Sequence, residues 1–274
     1  MSSNDKSALV SIVMPTYNHA RFIGEAIESV LTQTYGNFEL IIIDNYSTDN
    51  TAEIVASYND DRIKYLKFRN HGIIAASRNH GIKNSNGKYI AFLDSDDVWL
   101  PQKLELQFNL MESNQEIGMS YVLYSHLLDD TSSVKGIFPK PSSRLRGNVF
   151  TSLYRKSVIA NSGAMVRMEV FNELGLLDEN PKLVTIEDYE MWLRIARSRP
   201  IDYVDNKSQL LYRIRNDNAS NLTKLFTKLQ REMFLANKYA HDVGKLSYIN
   251  VIFSKTIHLI YDSIIPIGRQ PDIF

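Results

Sequence analysis

Short apolar runs alternate with segments of helical periodicity along the first half of the chain. The runs have the length of strands and cover residues 9–14, 38–43, 63–66, 89–93 and 119–124. The runs are mostly apolar instead of alternating strictly between apolar and polar positions. Because strands of this kind are buried on both faces, the pattern predicts an α/β fold with a mostly parallel central sheet flanked by helices.

Helices are predicted between these strands, where apolar residues recur at three- and four-residue spacing. They are expected over residues 22–31, 52–58, 74–83 and 100–113. We interpret Asn18 as the N-cap of the first helix, and residues 47–49 offer caps for the second. Pro101 suits the first turn of the fourth helix, because its missing N–H is not needed there.

The pattern is less regular after residue 124. Residues 129–148 are rich in Ser, Lys, Arg, Gly and Pro, which predicts a long loop. Strands are expected over residues 162–167 and 209–215, helices over 168–174 and 187–197, and a helical tail from residue 222 onwards. Gly175 follows the first of these helices and is typical of a helix end.

The composition excludes several classes of protein. The 274 residues include 31 Lys and Arg against 31 Asp and Glu, and a neutral chain argues against a nucleic-acid binder. The absence of cysteine excludes disulfides, thiolate zinc sites and cysteine nucleophiles. Residues 1–6 contain no apolar stretch, so no signal peptide is expected, and no apolar run approaches the ~20 residues of a membrane-spanning helix.

The cluster Asp94-Ser95-Asp96-Asp97 directly follows the strand expected over residues 89–93. Ligands of parallel sheets bind beyond the carboxyl ends of the strands. Three carboxylates this close together repel one another, and a hard divalent cation bound to phosphate oxygens would relieve that repulsion. The alternative is a polar turn that caps the following helix.

Three further features carry candidate chemistry, each with a structural alternative. Glu187-Asp188 could supply a carboxylate general base, although acidic residues also favour helix N-termini through the helix dipole. Asp44, at the end of a strand, could accept a hydrogen bond from a nucleobase or a ribose, or could be an ordinary loop residue. Arg78 could contact a phosphate or a base edge, or could lie on a surface helix.

Other chemistries lack their motifs. No G-x-G occurs in the chain, and Gly87-Lys88 lacks the upstream glycine of a P-loop, so neither dinucleotide-binding nor P-loop chemistry is indicated. The six histidines show no metal-ligand spacing, and we interpret most of them as surface or loop residues. No G-x-S-x-G is present, so a serine hydrolase is not indicated either.

Taken together, six segments resemble family 2 glycosyltransferases, which have the GT-A fold. They are residues 10–35, 38–51 (FELIIIDNYSTDNT), 69–82, 87–101 (GKYIAFLDSDDVWLP), 162–179 and 187–196 (EDYEMWLRIA). The resemblance implies a metal-dependent, inverting hexosyl- or N-acetylhexosaminyltransferase with a nucleoside diphosphate sugar as donor, UDP-linked in most members. It also implies a glycan or lipid-linked acceptor, bacterial cell-surface polysaccharide or glycan synthesis, and a cytoplasmic location at the inner face of the cell membrane.

The resemblance also assigns roles to individual residues. Pro15, Thr16 and Tyr17 would line the nucleoside pocket, and Asp44 would bond the base. Arg78 and Asn79 would lie near the base and the diphosphate. In the D-x-D motif Asp94-Ser95-Asp96, Asp94 would contact the ribose or sugar and Asp96 would bind Mg²⁺ or Mn²⁺. Asp188 would be the catalytic base, with Glu187 as a supporting acid. Residues 1–115 would form the nucleotide-sugar half, 116–221 the acceptor and catalytic-base half, and 222–274 a C-terminal helical extension.

The chain departs from the family pattern at two places. Family members often have Asp-Asp-Gly-Ser after the second strand, where this chain has Asp44-Asn45-Tyr46-Ser47, so the turn cannot use a positive φ cheaply. Many members also carry a histidine in a Y-R-x-H pattern, which is replaced by Arg215 in Tyr212-Arg213-Ile214-Arg215. Arginine cannot ligate a metal but can pair with a diphosphate, so Arg215 is expected in the nucleotide-sugar site.

The tail leaves two interpretations open. Residues 222–274 carry seven Lys and Arg against four Asp and Glu, and polar residues recur every fourth position from Asn250 to Asp262. Such a helix could pack on the catalytic domain or in a homodimer, or could contact a membrane surface.

Two other functions compete with the enzyme. A non-catalytic sugar-nucleotide-binding relative would not be expected to retain Asp94, Asp96 and Asp188 together. A nucleotidyltransferase should show a Gly-rich basic first loop, which residues 15–20 lack.

Overall fold

The computed structural model describes residues 8–129, 131–215, 222–244, 248–249 and 251–252. Nine strands in this part of the chain form a single sheet. They are β1 (Val10–Thr16), β2 (Phe38–Asp44), β3 (Ile63–Lys67), β4 (Tyr89–Phe92), β5 (Val98–Trp99), β6 (Met119–Leu128), β7 (Val134–Phe138), β8 (Ala164–Arg167) and β9 (Ile201–Ile214). The order across the sheet is β3-β2-β1-β4-β8-β6-β9-β5, and β7 pairs with β6 outside this path.

Helices connect and cover the strands. They are α1 (Ile23–Leu31), α2 (Thr51–Ala56), α3 (Ile74–Lys83), α4 (Lys103–Ser113), α5 (Phe150–Arg155), α6 (Met168–Leu174), α7 (Glu187–Ser198), α8 (Leu222–Lys238) and α9 (Ala240–Val243). Single 3₁₀ turns occur at Pro141–Ser143, Asn161–Gly163 and Pro181–Leu183. In the described ranges, no helix combines the length and the apolar character needed to cross a bilayer.

The first four strands along the sheet, β3-β2-β1-β4, are all parallel. Every residue of β1, β2 and β4 is buried, which explains why these segments are mostly apolar. Helix α3 packs closely on β1, since a Cβ built on Gly81 would lie only 2.5 Å from a methyl group of Val13. The carboxyl ends of β1 and β2 are level, with Thr16 opposite Asp44.

The other half of the sheet is mixed. Strand β8 lies between β4 and β6 and is antiparallel to both, whereas β6 and β9 are parallel. The short β5 pairs antiparallel with β9. The predicted α/β sheet with flanking helices is therefore confirmed, and the parallel pairing is concentrated in the first half of the chain.

Several local predictions were wrong. The first strand does not end at Met14 but continues to Thr16, and α1 begins at Ile23 without Asn18 as its cap. Asn18 instead has a φ of 52° and accepts a hydrogen bond from the Thr48 N–H. Residues 129–148 are not one long loop, because they contain β7. That strand is exposed along most of its length and so lacks the apolar pattern that marks a buried strand.

Helix α8, at the start of the tail, is attached to α7 by buried polar contacts. Glu190 of α7 is fully buried and accepts hydrogen bonds from Lys238 Nζ (2.8 Å), Tyr239 Oη (2.9 Å) and Arg194 Nε (2.9 Å). This part of the tail therefore packs on the rest of the fold. The polar stripe at positions 250, 254, 258 and 262 lies outside the described residues.

The close approach of backbones around Gly87 gives a testable prediction. A Cβ at this position would lie 2.6 Å from Ser11 N and 2.8 Å from Leu9 O, both backbone atoms that cannot move aside alone. We expect Gly87→Ala to lower the free energy of unfolding by about 1–3 kcal/mol in urea denaturation. Gly36→Ala is the matched control, since no atom lies within 4 Å of the new methyl group. Equal effects of the two substitutions would contradict the packing argument.

Candidate functional site

A cleft of about 460 Å³ opens at the carboxyl ends of β1 and β4. This volume lies within the usual range of about 300–1,000 Å³ for ligand pockets. Its walls include Pro15, Thr16, Tyr17, His19, Asn45, Asn70, Ser77, Asp94, Ser95, Asp96, Asp97, Tyr212, Arg213 and Arg215. Side chains from strand ends that are far apart in the sequence thus converge, as parallel strands require.

The acidic turn after β4 is held by a network of long-range hydrogen bonds. Asp97 is buried, and its carboxylate accepts from Ser162 Oγ (2.5 Å) and from Arg213 N (2.9 Å). Ser162 Oγ also accepts from Asp94 N (3.0 Å), and Arg213 Nε donates to Asp96 O (2.7 Å). The buried carboxylate of Asp97 therefore fixes the turn, and Asp97 also contributes to the cleft wall together with Asp94, Ser95 and Asp96.

The carboxylates of this turn are electrostatically crowded. Burial and the neighbouring Asp94 raise the pKa of Asp96. Burial, with Asp96 and Asp94, also raises the pKa of Asp97 well above its usual range. A positive charge placed among these groups would relieve the repulsion.

The carboxylate oxygens of this turn suit a hard divalent cation. Mg²⁺ is commonly bound by one or two carboxylates together with substrate phosphates. Within the described ranges no three His, Cys, Asp or Glu side chains form a ready-made metal site. Asp96 on the cleft wall could therefore hold a cation only jointly with a bound ligand. Its Oδ2 also forms an ion pair with Arg215 Nη1 at 3.2 Å.

His19 links the acidic turn to Arg215. Its Nε2 lies 2.9 Å from Arg215 Nη1, and its Nδ1 lies 2.7 Å from Ser95 Oγ. Because a guanidinium can only donate, Nε2 must accept, and the proton of the neutral ring sits on Nδ1, facing Ser95. Burial lowers the pKa of His19, which favours this neutral form.

Arg78 connects the acidic turn to the acidic start of α7. Its buried guanidinium donates to Asp94 Oδ1 (2.8 Å) and to Glu187 Oε1. Burial lowers the pKa of Arg78, but Asp94 and Glu187 outweigh this effect and raise it. Arg78 does not line the cleft, and its observed contacts are both carboxylates.

Asp188 lies in the first turn of α7, next to Glu187. Burial and the charge of Glu187 raise the pKa of Asp188 to about 7, against the opposing effect of Arg78. The residue as a whole is half-buried. One oxygen accepts a hydrogen bond from Tyr189 N at 2.7 Å. A carboxylate that titrates near neutral pH is suited to taking up a proton during a reaction.

Of the predicted site residues, five do not line the cleft, namely Asp44, Arg78, Asn79, Glu187 and Asp188. Asp44 is fully buried, and its carboxylate accepts from Ser47 N (2.9 Å), Ser47 Oγ (2.6 Å) and Tyr65 Oη (2.5 Å). A bond from Asp44 to a base would have to compete with these contacts. Asn79 bonds Leu177 O and the Glu179 carboxylate, and so holds the chain that leads towards α7.

The turn after Asp44 uses a positive φ although its residue at this position is not a glycine. Tyr46 adopts a φ of 59°, a conformation that is costly for a residue with a side chain. The guanidinium of Arg69 lies 4.9 Å from its ring centroid, which holds the exposed ring in place.

Sequence reasoning missed several residues of the site. His19, Ser162 and Arg213 were not singled out, although all three bond the acidic turn. Asn161, which donates to Asp94 Oδ1 at 3.1 Å, was missed as well. Each of these residues is remote from the acidic turn in the sequence. His19 and Ser162 lie in segments that enter the sequence analysis only through their resemblance to the family.

Comparison with known proteins identifies a family. The pattern described as "Glycosyl transferase family 2" matches residues 11–175. UDP-Glc:alpha-D-GlcNAc-diphosphoundecaprenol beta-1,3-glucosyltransferase WfgD from Escherichia coli is 32% identical over 252 residues, covering 90% of this chain and 94% of WfgD. The chain spans only about a third of the length of the first curated relatives it matches, uncharacterized glycosyltransferases of Rickettsia.

Two solved structures share the fold. Staphylococcus aureus TarS 1–349 in complex with UDP has a TM-score of 0.64 and 18% identity, over 90% of this chain and 70% of the TarS 1–349 chain. The mannosyltransferase PcManGT from Pyrobaculum calidifontis, in complex with GDP-Man and Mn²⁺, has a TM-score of 0.65 and 15% identity, over 92% of this chain and 70% of its own.

The raised pKa of Asp188 predicts a pH-dependent stability. The unfolded chain ionises Asp188 near pH 4, whereas the folded chain does so near pH 7, so ionisation favours unfolding between these values. Asp188→Asn removes this effect. We expect the variant's stability relative to the wild type to rise from pH 4 to 7 and to level off above pH 7. Urea unfolding at each pH measures this difference, and a constant difference would contradict the raised pKa.

Proposed function

The chain belongs to glycosyl transferase family 2, and we propose that it moves a sugar from a UDP-sugar to an acceptor hydroxyl with inversion at the anomeric carbon. The observation that carries the proposal is that one guanidinium, that of Arg78, connects two acidic groups. Arg78 joins Asp94 on the cleft wall to Glu187, the neighbour of Asp188. A donor-binding group and a candidate base are thereby held in one rigid unit.

The cleft supports a nucleoside diphosphate sugar as the donor. Pro15, Thr16 and Tyr17 would face the nucleoside, and the exposed ring of Tyr17 is free to stack on a base. UDP is proposed because WfgD is described as using UDP-Glc and because TarS was solved with UDP. Arg215, in place of the family's usual histidine, would pair with the diphosphate.

A divalent cation fits the acidic turn when the diphosphate is present. Asp96 would hold Mg²⁺ or Mn²⁺ together with phosphate oxygens, and PcManGT was solved with Mn²⁺. The cation would stabilise the negative charge that develops on the leaving diphosphate. Ser95, bonded to His19, and the main chain of Asp96, bonded to Arg213, keep the turn in position.

Asp188 would act as the base. It would take the proton of the acceptor hydroxyl while that oxygen forms a bond to the anomeric carbon and the bond to the diphosphate breaks on the opposite face. Glu187 forms an ion pair with Arg78. The negative charge of Glu187 nevertheless raises the pKa of Asp188 towards the range in which Asp188 can take up a proton.

The two halves proposed for the chain meet at the cleft. Most cleft residues belong to residues 1–115, but Tyr212, Arg213 and Arg215 come from the second half, 116–221. Residues 116–221 would therefore help to bind the donor as well as supply Asp188 and the acceptor site. We propose a glycan or lipid-linked acceptor, in bacterial cell-surface polysaccharide synthesis at the inner face of the membrane, by analogy with the acceptor that WfgD's name describes.

Removal of the base should separate catalysis from binding. We expect Asp188→Asn to lower kcat by about 10²–10⁴-fold with little change in UDP affinity, because the carboxylate acts on the acceptor proton. In the wild type, kcat/KM should rise with pH through about 7 as Asp188 loses its proton. Asp178→Asn is the control, since this acid bonds Lys238 and Asn180 N away from the cleft. Full activity of Asp188→Asn would reject the assignment.

Metal dependence is tested by thermal shift. We expect UDP to raise the Tm clearly in the presence of Mn²⁺ and much less with EDTA, because Asp96 would bind the cation only jointly with the diphosphate. Asp96→Asn should lose the Mn²⁺-dependent part of the shift. Asp60→Asn, which removes a surface pair with Arg62, should retain it. A panel of UDP-, GDP- and dTDP-sugars then identifies the donor, and a Tm shift by UDP that is equal with and without Mn²⁺ would reject the metal.

A further inference from the structure

The segment that follows the β6–β7 turn is free of acidic residues. From Thr131 to Met168 the chain contains no Asp or Glu, although charge is balanced over the whole sequence. The same segment contains seven basic residues, namely Lys135, Lys140, Arg144, Arg146, Arg155, Lys156 and Arg167. Arg167 is buried and Arg146 pairs with Asp202, so the positive charge on the surface comes from the remaining basic residues. Such an excess of positive charge attracts anionic surfaces.

Strand β7 exposes apolar side chains within this basic region. Val134 is 53% exposed and Ile137 is 40% exposed, and Lys135 and Gly136 between them are exposed as well. In the part of the chain that the structure describes, β7 pairs only with β6, so its other edge is open. Open edges with apolar side chains are a liability in water unless a partner covers them.

The charges around β7 are available to a partner. Lys135, Lys140 and Arg144 form no ion pair among the described residues, and Arg144 instead bonds Asn206 and Pro139 O. Asp129, just before the turn, is neutralised by Arg21 at 3.1 Å and lies 3.7 Å from Arg213. The region therefore combines exposed apolar groups with uncompensated positive charge.

Aromatic contacts place β7 beside the cleft. The Phe138 ring stacks on His126 at 4.4 Å, and it lies across Gly136, where a Cβ would come within 2.6 Å of the ring. Tyr124 lies 5.6 Å from Phe138 and 5.6 Å from Tyr212, which lines the cleft. A surface that binds β7 would therefore lie close to the cleft.

We propose that residues 134–146, here called the β7 surface, bind an anionic lipid bilayer. Val134 and Ile137 enter the interfacial layer, and Lys135, Lys140 and Arg144 contact the anionic headgroups. This surface differs from the C-terminal helices. The link to a lipid-linked acceptor rests on the proposed function, whereas bilayer binding itself does not require it.

The test is co-sedimentation of the full chain with vesicles. One set contains equal parts of phosphatidylglycerol and phosphatidylcholine, and the other contains phosphatidylcholine alone. We expect binding to the anionic vesicles at low salt, weaker binding at high salt, and little binding to neutral vesicles. Lys135→Gln/Lys140→Gln should weaken the partition coefficient about fivefold per lysine, and Val134→Ser/Ile137→Ser should weaken it roughly tenfold.

Two matched controls locate the surface. Lys67→Gln/Lys83→Gln removes two exposed lysines elsewhere, and Phe226→Ser/Ile249→Ser removes apolar groups of 54% and 48% exposure on the C-terminal helices. Both controls should bind vesicles like the wild type. Equal binding by the β7 variants, loss of binding only in Phe226→Ser/Ile249→Ser, or no binding by the wild type would overturn the proposal. So would a concentration-dependent dimer that only the β7 substitutions abolish, since a second copy would then cover β7.

The same proteins are assayed for UDP binding with Mn²⁺ in the absence of vesicles. The β7 variants should bind UDP normally, which shows that they are folded. Loss of vesicle binding with intact UDP binding supports the proposal, whereas absence of UDP binding in the wild type would reject the proposed function alone.

Discussion

One buried guanidinium holds the candidate site together. Arg78 of α3 donates to Asp94 after β4 and to Glu187 at the start of α7, and these residues come from three distant parts of the chain. Removal of one partner from such a buried pair typically costs about 3–5 kcal/mol, because the remaining charges lose their compensation. The position of the acidic turn relative to Asp188 thus depends on a residue that does not itself line the cleft.

The mixed half of the sheet explains how the acidic turn is supported from below. The 3₁₀ turn Asn161–Gly163 leads into β8, which lies beside β4, and this brings Ser162 under the turn. Strand β9 brings Arg213 to the other side of Asp97. A purely parallel sheet would place helical connections where these side chains now lie. The antiparallel insertion of β8 therefore serves the site as well as the core.

Sequence reasoning predicts best where chemistry and local pattern coincide. The family, the α/β sheet and the limits of α3 follow from apolar runs and short motifs, and the acidic turn is recognisable from its charge density. The N-cap at Asn18 was wrong because that side chain bonds Thr48, in a loop thirty residues further on. Strand β7 was missed because it is exposed, and periodicity detects only elements that bury a face. Ser47 and Tyr65 donate to the Asp44 carboxylate, and these contacts could not be predicted from the sequence. A strand end does not reveal in which direction a carboxylate points.

The attachment of α8 to α7 changes how the chain can be divided. Glu190 has no exposed surface, and two of its three donors, Lys238 and Tyr239, come from the end of α8 or directly after it. Glu190 lies two positions after Asp188 on α7. A chimera that exchanged the tail at residue 221 would leave this carboxylate buried with Arg194 alone, on the very helix that carries the candidate base. The smallest exchangeable catalytic unit therefore extends through Tyr239, and recombination between relatives should place its junction beyond that residue.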